Sequence, residues 1–213
     1  MLRTMIRRSS LITLLLAANF GLAQTEFSAE IVDTQKADNP SNAKIYMSKD
    51  KIRIEPAAGS TKAKGPGGSV IMNLATQTTT VLMGQQHMYM EMPVQMANQR
   101  TAYNFFRTGD VENACADWAQ TAKNKGGTCR KVGNDTVNGR STVKYEGTNA
   151  NGDSSTFWID PKLRFPIKWQ GKNSSGELRN IQEGSQPSSL FEIPAGYTKF
   201  DMGNMGGMMQ RPQ

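Results

Sequence analysis

Apolar and polar positions alternate with period two along most of this chain, a pattern that predicts strands with one buried and one wet face. Thr25 to Lys36 alternates loosely, with Phe27, Ala29 and Ile31 on one face. Asn42 to Met47 and Lys51 to Glu55 follow as a pair around the polar turn Ser48-Lys49-Asp50. Ile45, Met47, Ile52 and Ile54 fall on one side, and Lys44, Arg53 and Glu55 on the other. Strands are expected again at Ser69 to Leu74, Thr78 to Met83 and Gln86 to Met92, joined by connections short enough for sequential hairpins. After a helical interval they return at Arg130 to Asn134, Ser141 to Gly147, Ser154 to Asp160, Phe165 to Gln170 and Glu177 to Glu183. The total is about eleven strands on this alternation count.

The interval changes period. Met96, Ala97, Arg100, Thr101, Asn104 and Phe105 recur at helical spacing, and Gly109 and Asp110 interrupt them. Val111 to Ala122 predicts a second helix with Asp110 as its N-cap. Gly59 to Gly68 is expected to be a loop, because its Gly, Pro and Lys content cannot bury apolar surface. Ser188 to Tyr197 predicts a short helical turn that packs down and ends before Pro194. The fold class is therefore mainly β (α+β): a strongly curved, half-open antiparallel sheet around a mid-chain helical insertion. A sheet this long, apolar on one face, must curl or be covered. A curled sheet with helices in its mouth would leave an apolar cleft suited to acyl chains.

Three segments divide the chain. Residues 1–23 read as a secretory signal peptide: Arg3, Arg7 and Arg8, then the apolar run Leu11 to Ala18, then Gly21 and Ala23 before Gln24. That run is far shorter than the ~20 residues that span a bilayer. Residues 24–200 form one domain. Residues 201–213 form a Met- and Gly-rich tail expected to be disordered. The expected location is the periplasm, with no transmembrane segment after cleavage; peripheral membrane contact and envelope-protein partners stay open.

Charge adds little. The formal net charge is +7, and the leader's three arginines supply part of it without any acid. The remaining cations are scattered, so the concentrated basic face that nucleic acid requires is not expected. The two cysteines, Cys115 and Cys129, favour a disulfide in an exported chain. No CxxC spacing is present, and the one histidine, His87, is distant in sequence.

Enzymatic chemistry finds no support in the motifs. Neither GxSxG nor HExxH occurs, and acid pairs such as Glu26/Glu30 and Asp110/Glu112 read as solubilising charges. No cofactor is implied. Methionine is the unusual residue, at 13 of 213. In His87 to Met92, Met88, Met90 and Met92 point one way and His87, Tyr89 and Glu91 the other. Flexible thioethers suit core gaps, an adaptable apolar cleft, or Cu(I), which soft ligands select. The tail methionines Met202, Met205, Met208 and Met209 suit the copper reading better. The aromatics, among them Phe157, Trp158, Trp169 and Trp118, read by default as core.

Five segments occur in a telling order: AKIYMSKDKIRIE, HMYMEMP, VNGRSTVKYEG, FWIDPKLRFPIKWQ and FEIPAGYTKF. Together they resemble the LolA/LolB/LppX-type superfamily of exported lipoprotein and lipid carriers, on a branch classed as a domain of unknown function. The resemblance covers nearly all of residues 25–200. It implies a half-open curved sheet wrapped around helices, and an inner cavity that accepts acyl chains.

The function expected first is thus a non-enzymatic binding protein for a lipid or a lipidated partner. Its lining candidates are Ile45, Met47, Ile52, Ile54, Met88, Met90 and Met92. Two alternatives stay open: a copper-binding or metal-stress protein using methionines, and an envelope structural or stress protein without ligand.

Overall fold

The computed structural model describes residues 25–35, 42–56, 68–93, 110–120 and 124–200. Its strands are β1 (Phe27–Asp33), β2 (Asn42–Met47), β3 (Lys51–Pro56), β4 (Val70–Asn73), β5 (Thr78–Met83) and β6 (Met88–Pro93). Helix α1 (Ala114–Gln120) follows. Then come β7 (Thr128–Val137), β8 (Arg140–Thr148), β9 (Ser154–Asp160), β10 (Phe165–Gly171), β11 (Ser175–Glu183) and β12 (Thr198–Lys199). They form one 12-stranded sheet in the order β12-β6-β5-β4-β3-β2-β1-β11-β10-β9-β8-β7.

Two hairpin meanders, β1 to β6 and β7 to β11, meet where β1 pairs with β11. Every pairing is antiparallel except that of β12 with β6. The end strands β12 and β7 do not pair with each other, so the sheet is open. The ladder shifts register at Ser28/Glu30, Lys131/Gly133 and Pro166/Lys168. Such bulges bend a strand and increase its twist, which lets a long sheet curl instead of lying flat.

Local chemistry explains the tight connections. Asn138 and Gly139 join β7 to β8 with φ of 49° and 78°. Those left-handed values make the primed turn whose twist matches a hairpin, and Asn-Gly accepts them at least cost. Between β5 and β6 a single 3-10 turn, Gly84–Gln86, ends at His87 in the left-handed region.

All eleven expected strands are present. The twelfth was not expected, because two residues are too few to show alternation. Thr198 and Lys199 are held by backbone bonds on either side, Thr198 N–H to His87 O at 2.9 Å and Phe200 N–H to Tyr89 O at 2.7 Å. The second expected helix begins with a 3-10 turn, Val111–Asn113, before α1 proper. Asp110 caps it as expected, its carboxylate accepting from Glu112 N–H at 2.9 Å. The first expected helix, the signal segment, most of the Gly59 to Gly68 loop and the tail lie outside the described residues. No helix among the described residues is long and apolar enough to cross a membrane.

One core cluster runs along the sheet from Met72 on β4 through β3, β2 and β1 to Leu178, Ile167 and Trp158. A second lies under α1, where Ala114 and Trp118 cover Val143, Tyr145, Phe157 and Ile159. The Cys115–Cys129 disulfide ties α1 to β7, with its Cα atoms 5.4 Å apart. Gly147 on β8 lets the Trp118 ring lie against the strand; a Cβ there would meet Trp118 Cζ2 at 2.5 Å.

Candidate functional site

Cross-strand partners in an antiparallel sheet point to the same face, so the register alone assembles a surface. Ala29 opposes Ile45, Ile45 opposes Ile54, Ile54 opposes Val70, Val70 opposes Val81, and Val81 opposes Met90. One step along the strands, Phe27, Met47, Ile52, Met72, Thr79 and Met92 make a second row. Met83 faces Met88 in a third. The apolar face is therefore continuous over six strands. All seven lining candidates, Ile45, Met47, Ile52, Ile54, Met88, Met90 and Met92, stand on it.

Burial grades along this face. Ile45 and Met47 are 0% exposed and Ile52 is 1% exposed, so the middle is sealed. Towards β6 the seal loosens. Met83, Met90 and Met92 are 8–9% exposed, and Met88 is half-buried. These four methionines pack together with Val81 and Phe200. Met83 is the member that the sequence reading passed over; its place opposite Met88 depends on hairpin register. Thr79 interrupts the apolar rows. Its hydroxyl, fully buried between Met72 and Met92, is the one buried side-chain polar atom without a hydrogen-bond partner among the described residues.

The opposite face of β2 to β6 is covered by residues 190–197. Phe191 packs on Ile71 and Leu82, with Tyr46, Tyr89, Leu190 and Tyr197 around them. Arg53 clamps this cover. Its Nη1 donates to Leu190 O at 2.8 Å, its Nη2 to Ser69 Oγ at 3.3 Å, and its Nε pairs with Glu55 Oε1 at 2.7 Å. Tyr46 donates to Glu55 Oε2 at 3.3 Å. Burial, and then the Glu55 charge, push the Tyr46 phenol above its ordinary value. His87 lies at this face, its ring edge-on to Tyr197 with centroids 5.6 Å apart.

The far half of the sheet carries structural ion pairs. The Trp158 ring lies between the Lys144 and Lys168 ammonium groups, 5.4 and 5.0 Å from its centroid, and its indole N–H donates to Asp135 Oδ2 at 2.8 Å. That bond holds the Asp135 carboxyl below its usual range. Arg140 bridges Asp160 and Glu183, and Lys162 also pairs with Glu183. The Lys162 and Arg140 bonds depress the Glu183 carboxyl. A groove of about 520 Å³ at the disulfide is lined by Thr128, Cys129, Arg130, Glu146, Thr148 and Thr156. Its lining differs from the apolar cleft expected.

The acid pairs have structural work. Glu26 Oε2 accepts from Gln186 N–H at 2.9 Å, Glu30 accepts from Asn180 at 3.0 Å, and Glu112 pairs with Lys131. No group of three or more His, Cys, Asp or Glu side chains among the described residues could hold a metal ion. Met202, Met205, Met208 and Met209 lie outside the described residues.

No family model and no curated protein matches the chain. Solved structures do. An uncharacterized conserved protein from Thermus thermophilus is similar over 84% of this chain and 91% of its own, at 11% identity and a TM-score of 0.52. The Pseudomonas aeruginosa MucA/MucB complex contains a chain similar over 79% of this one, at 17% identity and a TM-score of 0.48; this chain spans 56% of that one. A LolA superfamily protein from Nitrosomonas europaea is similar over 81% of this chain and 91% of its own, at 9% identity and a TM-score of 0.33. At 11% identity the likeness to the Thermus thermophilus protein is one of fold.

Proposed function

We propose that this chain is an exported, non-enzymatic binding protein of the periplasm that shields the acyl chains of a lipid or lipidated partner from water. The carrying observation is the six-strand apolar face, which runs from a sealed centre to methionines at its margin and holds one buried, partnerless hydroxyl. Each acyl methylene moved from water onto such a face contributes ~0.8 kcal/mol. Methionine at the margin suits chains of differing shape, because its unbranched thioether repacks at low cost. A buried hydroxyl without a partner costs roughly 1–3 kcal/mol, which an ester or carboxyl oxygen of a ligand would offset.

In this reading Ile45, Met47, Ile52, Ile54, Met88, Met90 and Met92 line the ligand side. The test is native mass spectrometry of residues 24–213, purified from a periplasm without detergent. Added mass matching a phospholipid or fatty acid supports the reading. Met88→Asp with Met90→Asp should remove that mass while export continues. A clean apo mass for the unaltered protein favours the ligand-free structural role. Retained lipid in the double variant removes Met88 and Met90 from the lining.

A further inference from the structure

We propose a Cu(I) site in the sheet, formed by the thioethers of Met83, Met88 and Met90. The register makes the site. Met83 and Met88 are direct cross-strand partners on β5 and β6, and Met90 is the next residue of β6 on the same face. Directly opposed side chains have Cβ atoms about 5 Å apart, and next-but-one neighbours on a strand are about 7 Å apart. Three unbranched side chains, each with several rotatable bonds, converge on one ion from those separations. The three already pack in a single cluster. Met92, opposite Thr79, stands a further step away and is not needed.

The donor set selects the ion. Both cysteines of the chain are closed in a disulfide, so methionines are its only sulfur donors. Glu91 alternates to the opposite face and pairs with Lys199. The His87 ring packs on Tyr197 there too. Soft thioethers without an adjoining carboxylate or imidazole favour Cu(I) over Cu(II) or Zn(II). Access also fits, since Met83 and Met90 are 8% and 9% exposed and Met88 more so, unlike the sealed Met47. Phe200 packs against the same cluster. The site does not depend on the lipid reading.

The test is anaerobic competition for Cu(I) between the full chain and a bicinchoninate chelator. The natural chain should withdraw one Cu(I) equivalent with an all-sulfur shell by X-ray absorption. Replacing Met83, Met88 and Met90 by Leu keeps the face apolar and nearly conserves volume, so the fold should persist while Cu(I) affinity falls at least tenfold. Met88→Leu alone, at the most exposed ligand, should also weaken binding and serves if the triple variant does not fold. Leu at Met202, Met205, Met208 and Met209 should leave the sheet equivalent in place. Undiminished affinity in the sheet variants, a nitrogen or oxygen shell, no binding by the natural chain, or loss only in the tail variant would each overturn the site.

Discussion

The buried carboxylate of Asp160 and the guanidinium of Arg140 pair across β9 and β8, and this contact organises the turn into β10. Asp160 is 2% exposed. Its Oδ2 receives Arg140 Nε, while its Oδ1 accepts the backbone N–H groups of Lys162 at 2.8 Å and Leu163 at 3.0 Å. One side chain thus terminates a strand, shapes a turn and balances a partly buried cation. Leu163, 0% exposed, is carried into the main core by that turn.

Asp160→Ala should therefore cost about 2–3 kcal/mol. The change leaves two backbone donors unpaired and removes one of the two carboxylates on Arg140, while the remaining Glu183 pair and the partial exposure of Arg140 keep the cost below that of a fully buried pair. Urea denaturation of both chains measures it. A cost under about 0.5 kcal/mol, the level of an ordinary surface change, would show that the turn holds without the carboxylate.

Acid should weaken the fold through Glu183 and Asp135. Both carboxyls are depressed, Glu183 by Lys162 and Arg140 and Asp135 by the Trp158 indole, from ordinary values of 4.5 and 3.8. A depressed carboxyl contributes stability above its unfolded-state value, and that contribution is lost as pH falls through the folded-state value. Melting temperature should be level near neutrality and fall progressively below pH 4.5. Glu183→Gln should lower the neutral-pH value and flatten the acid limb. An acid limb of unchanged slope in that variant would exclude Glu183 as a source.

Replacing Cys115 and Cys129 by Ser should cost roughly 3 kcal/mol on the chain-entropy account, given their sequence separation of 14. Because the bridge joins α1 to β7, hydrogen exchange should rise first in α1 and the start of β7. Equal acceleration throughout the sheet would mean that the bridge acts only on the unfolded chain.

Gly147→Ala should destabilise by about 1–3 kcal/mol through overpacking. The added Cβ would stand 2.5 Å from Trp118 Cζ2, so the helix must move off the sheet. A red-shifted tryptophan emission should accompany the loss. Unaltered emission and stability would mean that the ring turns aside freely.

Much of the candidate site was legible. Period-two alternation placed Ile45, Met47, Ile52, Ile54, Met88, Met90 and Met92 on faces within their own strands, because successive side chains of any strand point oppositely. It could not join those faces. Met83 was missed because Val81-Leu82-Met83 shows no clean alternation, and its place opposite Met88 comes from the turn at Gly84–Gln86. Thr79 was likewise silent: a threonine in a strand reads as an ordinary β-former until its neighbours are known to be Met72 and Met92.

The sequence by itself determined the local order, eleven strands and the helix capped by Asp110, and it favoured a bond between the two cysteines. Each rests on side-chain periodicity, backbone preference or elimination, which act over a few residues or on composition. Tertiary structure decided what distant segments do to one another. It placed β11 beside β1, ran β12 parallel to β6, closed Arg140 onto Asp160 and gathered the marginal methionines under Phe200. Those pairings depend on register and bulges summed over the whole sheet, and a shift of one residue would turn every such side chain to the other face.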